Sequence, residues 1–597
     1  MNESDADRVK MARDSWMRAL QRVAFIERNP DLTLPFILQS TGQRRGSATA
    51  LSSPDVRLSY TELMQRCNQY SRWAIAQGLR AGDTVALLMH NCPEYLAIWL
   101  GLVRIGVAVS LQNTHLSGAI LRHSIGVVPP RLVIAGAELT TGLMDVRREL
   151  GCGIDYWVHG AGDVDMAPLE AAVDSQSTAE LRDGDCTAPR TDSVALYIYT
   201  SGTTGLPKAA RVSHFRLMQW SHWFAGLMDV GPEDIMYDCL PLYHSVGGVV
   251  ATGAMLVGGG AVVIRRRFSA SDFWRDIRDE RCTLFQYIGE LCRYLLNAPE
   301  HPAERDHRLR LACGNGLRAE VWRDFEARFR IPRILEYYAA TEANFSLYNC
   351  EGEPGAIGRI PPYLAQHRTV ALLRVDIDTG EPLRNSAGLC EACGPDEAGE
   401  AVARMPTREN ERTGRFEGYA GDGSAHKVLR DVFSNGDSWY RSGDLMRRDA
   451  RGFYYFVDRI GDTFRWKGEN VSTAEVAAVL SQVDGVLDAA VYGVAIPGTD
   501  GRAGMAALVV AENFDLRALR VTLVERLPAY ARPLFIRLLP SMQSTGTFRP
   551  VKRELVSTGF DPARVADPLY FDSQADQALI PLNQSLHADI VSGRVRL

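Results

Sequence analysis

From about residue 55 to 350 the chain switches repeatedly between two hydrophobic periods. Runs of β-branched and apolar residues, as at 83–89 and 193–199, read as strands, while apolar positions three and four apart read as helices. Ser59-Tyr-Thr-Glu62 has the spacing of a capping box. The helix behind it sets Leu63, Cys67, Tyr70 and Ala74 on one face, and Gly78 stops it. A strand over 83–89 and a helix over 94–103 follow. Such alternation predicts an α/β fold of layered subdomains with largely parallel sheets. Residues 365–458 are richer in strand pattern, with turn clusters at 376–380 and 434–437. Beyond Asp458 the pattern changes again: Ser472-Thr-Ala-Glu475 caps a new helix, and 486–510 reads as two strands. The expected division is a large N-terminal domain, 1–460, with a β-rich part, and a small α+β C-terminal domain, 461–597.

Two other stretches raise the question of a membrane. Residues 8–26 suit an amphipathic helix with Met11, Trp16, Leu20 and Val23 roughly on one face. Packing on the body of the protein is the expected fate of that face, and lying on a membrane surface is the other. Residues 247–264 form an uncharged run of 18, long enough to test for a span. Its six glycines and the following Arg265-Arg266-Arg267 favour a buried helix and strand joined by a glycine turn.

Composition narrows the classes further. A chain of 597 residues exceeds what one core supports. A net charge of −6 without basic runs gives no footprint for nucleic acid. Eleven scattered cysteines and a charged N-terminus fit reduced thiols and a cytoplasmic location, with peripheral contact at the inner face of the membrane left open. The single C-x-x-C, Cys390 to Cys393, lacks a second pair for four zinc ligands and reads as a loop. Only Lys10, Lys208, Lys427, Lys467 and Lys552 among the 66 basic residues are lysine, so each is a candidate for a specific role.

The densest chemistry lies at 199–208, Y-T-S-G-T-T-G-L-P-K. A strand leads into glycines that admit backbone N–H groups to phosphate oxygens, hydroxyls that add donors, and a terminal cation. Pro207 and Ala209 stand where a Walker A loop needs glycine and a magnesium-binding hydroxyl, so it is a different polyphosphate cradle. Tyr337-Tyr-Ala-Ala-Thr-Glu342 sets a hydroxyl beside a carboxylate after an apolar strand, and Tyr440-Arg-Ser-Gly-Asp444 and Val457-Asp-Arg-Ile-Gly-Asp462 add carboxylates and arginine in glycine turns.

These segments, with D-C-L-P-L-Y-H-S (238–245), C-G-N-G-L-R (313–318), R-F-E-G-Y (415–419), D-R-I-G-D-T-F-R-W-K-G-E-N-V-S-T-A-E-V (458–476), G-R-A-G-M-A-A-L (501–508) and T-G-T-F (545–548), carry a resemblance to a family. The chain resembles the adenylate-forming superfamily of acyl-CoA synthetases, in its fatty-acid-transport-protein and very-long-chain acyl-CoA synthetase branch. The resemblance implies attack of a carboxylate on the α-phosphorus of Mg·ATP, rotation of a mobile C-terminal domain, and capture of the acyl-adenylate by a thiol, usually coenzyme A. It implies that Thr200, Ser201, Gly202, Thr203, Thr204, Gly205 and Lys208 hold the β- and γ-phosphates. Gly314, Asn315 and Gly316 would line the adenine and Tyr338 stack on it. Thr341 would bond the α-phosphate, Glu342 ligate Mg²⁺, Asp444 and Arg459 take the ribose, and His244 lie beside the acyl carboxylate. Gly461 and Asp462 match the pivot. Trp466 and Lys467 would lie near the coenzyme A entrance, with a solvated turn as the other reading of Trp466.

One position departs from the family. The lysine that bridges carboxylate and α-phosphate is Arg549 here, and the next lysine is Lys552. A planar fork replaces a compact ammonium. Arginine working with a slower first step, Lys552 substituting, and a changed acid or acceptor all stay open. The function expected is activation of a long- or very-long-chain fatty acid to its CoA thioester. The alternatives are adenylation of another acid, including nitrous acid, or transfer to a non-CoA acceptor, and a non-catalytic acyl or nucleotide binder aiding fatty-acid uptake. Oligomeric state is not legible.

Overall fold

The computed structural model describes residues 3–162, 165–182, 184–201, 206–343, 345–365, 370–377, 379–406, 416–421, 424–467, 469–499, 501–545 and 550–595. The chain forms two compact units: Met1–Ile360 with Pro406–His426, and Pro361–Met405 with Lys427–Leu597.

The first unit is α/β. In one sheet the strands Asp155–His159, Leu132–Gly136, Thr84–Leu88, Ala108–Leu111 and Val194–Ser201 lie parallel, and Pro207–Ser213 closes the edge antiparallel. In another, Ile334–Ala339, Leu311–Asn315, Leu284–Ile288, Ile235–Asp238, Ala261–Ile264 and Thr49–Ser52 are parallel. The central strands are buried throughout, as a parallel sheet covered by helices on both faces requires. Ser59 and Glu62 make both bonds of the capping box, and Leu63, Cys67, Tyr70 and Ala74 are buried on the helix Tyr60–Ala76.

The uncharged run resolves as expected. A π-helical turn, Val246–Ala251, leads into the helix Thr252–Gly258; Gly259 turns at φ +82° into the strand Ala261–Ile264. Among the described residues no helix is long and apolar enough to cross a membrane.

The N-terminal helix spans Glu3–Val23, and its buried face differs from the one expected. Ala12, Ser15, Trp16 and Ala19 are buried, whereas Met11 is 42% exposed. The reason is close approach: a Cβ on Gly226 would come within 2.5 Å of the Ala19 backbone, so small residues face the helix His214–Leu227. Trp16 then packs edge-on against Trp223 and Tyr348, with centroids 5.6 and 5.5 Å away.

In the second unit, the strands Val370–Leu373, Gly399–Arg404, Ser438–Arg448 and Phe453–Arg459 form an antiparallel array. The turn at 434–437 is built on Asp437, which accepts from the N–H groups of Val432, Phe433 and Ser434 and from the Trp439 indole. Further along, the helix Thr473–Leu480, capped by Ser472, packs on a mixed five-stranded sheet that includes Val486–Val494 and Ala503–Val510. Cys390 and Cys393 are free thiols, and the described residues contain no cluster of three metal-ligating side chains.

Candidate active site

In the first unit, the polyphosphate-type loop joins two strands of a hairpin. Thr200 pairs with Lys208 across Val194–Ser201 and Pro207–Ser213, so the lysine stands on a strand opposite a loop hydroxyl. Gly202, Thr203, Thr204 and Gly205 lie outside the described residues. Upstream, the buried Tyr199 hydroxyl is held by Gln112 and Ser110, which anchors the strand feeding the loop.

Three segments distant in sequence meet at Thr341 and Glu342. The Thr341 hydroxyl lies 3.4 Å from Ser245 Oγ, which brings the His244 segment to the same turn. Arg216, 2% exposed, donates to the Thr341 carbonyl at 2.7 Å. Tyr419 donates its hydroxyl to Glu342 Oε1 at 2.7 Å, and its ring lies 5.6 Å from the Lys208 ammonium. The Thr200 side chain lies beside the same phenol. Burial and the facing carboxylate push the Tyr419 pKa well above its ordinary value, so the phenol stays neutral and donates. The Glu342 carboxylate and the nearby Thr341, Ser245 and Tyr419 hydroxyls are oxygen groups of the kind that suits a hard cation such as Mg²⁺.

The glycine-rich turn expected at adenine is braced from beneath. Gly314 and Asn315 end the strand Leu311–Asn315, and Gly316 turns at φ +82°. Glu336, fully buried on the neighbouring strand, accepts from the Gly316 N–H at 2.5 Å, from Leu317 N–H at 3.2 Å and from the Tyr287 hydroxyl at 2.5 Å. Burial dominates and pushes its pKa up to about 8, although all three bonds favour the carboxylate. Gly314 has no room for a side chain: a Cβ would meet the Tyr287 carbonyl at 2.2 Å. Tyr338 stands on the same strand as Glu336, its ring 5.2 Å from Phe345. Near the His244 segment, Asp238 is wholly buried and its pKa is pushed to about 7 by desolvation.

The second unit contains the other expected residues. Asp444 and Arg459 face each other across an antiparallel pair, with Arg459 Nε 3.3 Å from Asp444 Oδ1. Around the expected pivot, Asp458 accepts from Thr473 N–H at 2.6 Å, and Lys552 donates to Thr473 Oγ1 at 3.1 Å while lying 3.4 Å from Asp462 Oδ2. Lys552, one of the candidates to replace the family lysine, is thus engaged with Thr473 and Asp462. Arg549 lies outside the described residues. Trp466 is not a solvated turn: it is 3% exposed in the core beneath the five-stranded sheet. The hairpin Phe464–Trp466 to Glu469–Val471 turns its indole inward and leaves Lys467 at the turn with φ +52°.

Sequence reasoning named Thr341, Glu342 and Lys208 but not Tyr419, Arg216, Ser245 or Glu336. Tyr419 and Ser245 lay inside motifs already singled out; Arg216 and Glu336 carried no signal beyond being charged residues in apolar surroundings.

Comparison with known proteins follows this geometry. Residues 38–407 match the family model of AMP-binding enzymes, and residues 475–549 match that of the AMP-binding enzyme C-terminal domain. Long-chain fatty acid transport protein 1 of Mus musculus is 40% identical over 572 residues, covering 94% of this chain and 88% of that one. Long-chain fatty acid transport protein 6 of the same species is 39% identical over 551 residues, 90% and 87% of the two chains. Among solved structures, an anthranilate CoA ligase with anthranoyl-AMP superposes with a TM-score of 0.75 at 20% identity, over 88% of this chain and 97% of that one. ATP-bound MatB from Rhodopseudomonas palustris gives 0.72 at 21%, over 88% and 99%. A Mycobacterium tuberculosis fatty acyl CoA synthetase gives 0.59 at 21%, over 88% and 98%. These structures share the fold.

Proposed function

We propose, from the premise that this chain belongs to the adenylate-forming family of AMP-binding enzymes, in its fatty-acid-transport-protein branch, that it is an ATP- and Mg²⁺-dependent ligase converting long- or very-long-chain fatty acids to CoA thioesters. The observation that carries this reading is the meeting of Lys208, Thr200 and Tyr419 with the Thr341–Glu342 turn inside one unit. The names of the long-chain fatty acid transport proteins support the choice of acid.

Thr200 and Lys208, with Ser201 and residues 202–205, hold the outer phosphates of ATP; Thr341 steadies the α-phosphate. Glu342 is the carboxylate that would hold Mg²⁺, which when bound offsets phosphate charge. Gly314, Asn315, Gly316 and Tyr338 receive the adenine, and Asp444 with Arg459 the ribose. His244 orients the acid, and Arg549 supplies a cation between the attacking carboxylate and the α-phosphate. The segment after Gly461 rotates for the second half-reaction, in which Lys467 serves the coenzyme A entrance. The enzyme works in the cytoplasm or peripherally at the inner face of the membrane.

Pyrophosphate exchange across a panel of acids tests the reading. Exchange with long-chain acids is expected. Exchange with other acids alone replaces it by a biosynthetic activation, one of the readings that Arg549 leaves open. Absence of exchange with every acid overturns adenylation. Arg549→Lys is expected to speed adenylate formation and leave thioester formation from preformed acyl-AMP unchanged; a slower first step would mean that arginine is tailored to this site.

A further inference from the structure

Residues 416–420 are fastened so tightly that the position of Tyr419 is set by backbone on two sides. On one side the segment adds a rung to the strand that carries Lys208. Ala210 bridges Tyr419, the Arg211 N–H donates to the Gly418 carbonyl at 3.0 Å, and the Ala420 N–H donates to the Ala209 carbonyl at 2.8 Å. On the other side Phe416 bridges Ala343, and the Glu417 N–H donates to the Glu342 carbonyl at 3.3 Å. Between them the Glu417 carboxylate accepts from Ser213 N–H at 2.8 Å and Ser213 Oγ at 2.7 Å, and lies 3.6 Å from the buried Arg216 guanidinium. Three backbone hydrogen bonds and an ion pair therefore place one 5% exposed ring between the Lys208 strand and the Glu342 turn.

We propose that Tyr419 is a positioning residue of the adenylation site, whose hydroxyl aims the Glu342 carboxylate at the divalent cation that accompanies ATP while its ring faces Lys208 of the phosphate loop. This rests on the Mg·ATP reading given above. The physical case is directional. A phenol that donates to one carboxylate oxygen restricts rotation of the group and fixes which lone pairs face the cation, as outer partners of metal ligands do. Lys208, which pairs with Thr200 at the start of the loop, lies against the same side chain, so loop and carboxylate meet on one residue. The ring performs a separate task by presenting its face to the Lys208 ammonium.

These two tasks separate experimentally. Tyr419→Phe keeps the ring and the backbone rungs and removes the hydroxyl; Tyr419→Leu removes both. Calorimetric ATP binding to the full chain is measured while Mg²⁺ is titrated, and again in EDTA. For Tyr419→Phe the half-saturating Mg²⁺ is expected to rise about tenfold, in keeping with loss of a hydrogen bond to a charged group, while ATP binding in EDTA stays at the wild-type value. Tyr419→Leu is expected to weaken ATP binding in EDTA as well, because Lys208 loses its aromatic neighbour. Wild-type Mg²⁺ dependence in Tyr419→Phe overturns the proposal, as does equal loss in Mg²⁺ and EDTA, which a merely structural role would give. A wild-type chain whose ATP binding does not respond to Mg²⁺ sinks the adenylation reading itself, and the two failures are thereby told apart.

Discussion

Replacing Glu336 by glutamine gives a quantitative test of how the adenine turn is built. In the folded chain this carboxyl is fully buried and its pKa is raised from 4.5 to about 8. The folded state therefore holds the proton more tightly than the unfolded one. Stability from this group is fully present below pH 4.5 and is lost as pH rises toward 8. The slope is about 1.4 kcal/mol per pH unit, so the displacement caps the loss at on the order of 5 kcal/mol. Glutamine removes that slope with little change of shape. Its carbonyl can accept from Gly316 and Leu317 N–H, and its amide can donate to the Tyr287 oxygen, leaving only the phenol proton without its former acceptor. The assay is urea unfolding of both proteins at several pH values from 5.5 to 8.5, followed through the aromatic signal. Wild type is expected to be the more stable at the acidic end, by the order of one hydrogen bond, about 1 kcal/mol. The variant should gain on it by about 1.4 kcal/mol for each pH unit and overtake it before pH 8. Asp238, pushed to about 7, slopes both proteins alike and cancels in the difference. Parallel pH profiles for the two proteins would refute the reasoning, because they would mean that Glu336 is already ionised in the fold.

Two further substitutions test other parts of the structure. Trp16→Ala removes a fully buried ring between Trp223 and Tyr348 and is expected to cost about 3–5 kcal/mol, with limited proteolysis cutting first in the helix Glu3–Val23; an unchanged cleavage pattern would mean that this helix is not fastened by its aromatic contact. Lys552→Met takes the ammonium from Thr473 and Asp462 and is expected to destabilise the second unit by about 1 kcal/mol, with faster amide exchange at the start of the helix Thr473–Leu480; exchange at the wild-type rate would show that the contact holds nothing.

What the sequence disclosed and what it withheld follow from the range of the forces involved. The capping box at Ser59, the strand entering the phosphate loop and the glycine turn at Gly259 are local: neighbours within a few residues decide them, so periodicity and turn chemistry suffice. Trp466 shows the first limit. Flanked by Arg465 and Lys467 it reads as surface, yet a two-strand hairpin alternates its faces, and the register that sends Arg465 outward sends the indole into the core. Met11 shows the second. Four apolar residues at helical spacing defined a face, but the shape of the facing helix at Gly226 selected the smaller Ala12 and Ala19 instead. Polar partners mark the hardest limit. Tyr419 and Glu342 are 77 positions apart, and Arg216 and Thr341 are 125 apart, so no spacing rule relates them. A buried charge must find a partner or lose its charge, but which partner it finds is fixed only when two sheets and a returning segment are in register. The resemblance to adenylate-forming enzymes named the residues expected to touch ATP. Those that hold them in place are where this chain's own structure adds to it: Arg216 at a helix start, Glu336 inside a strand paired on both sides, and Glu417 and Tyr419 on the segment that bridges the Lys208 strand.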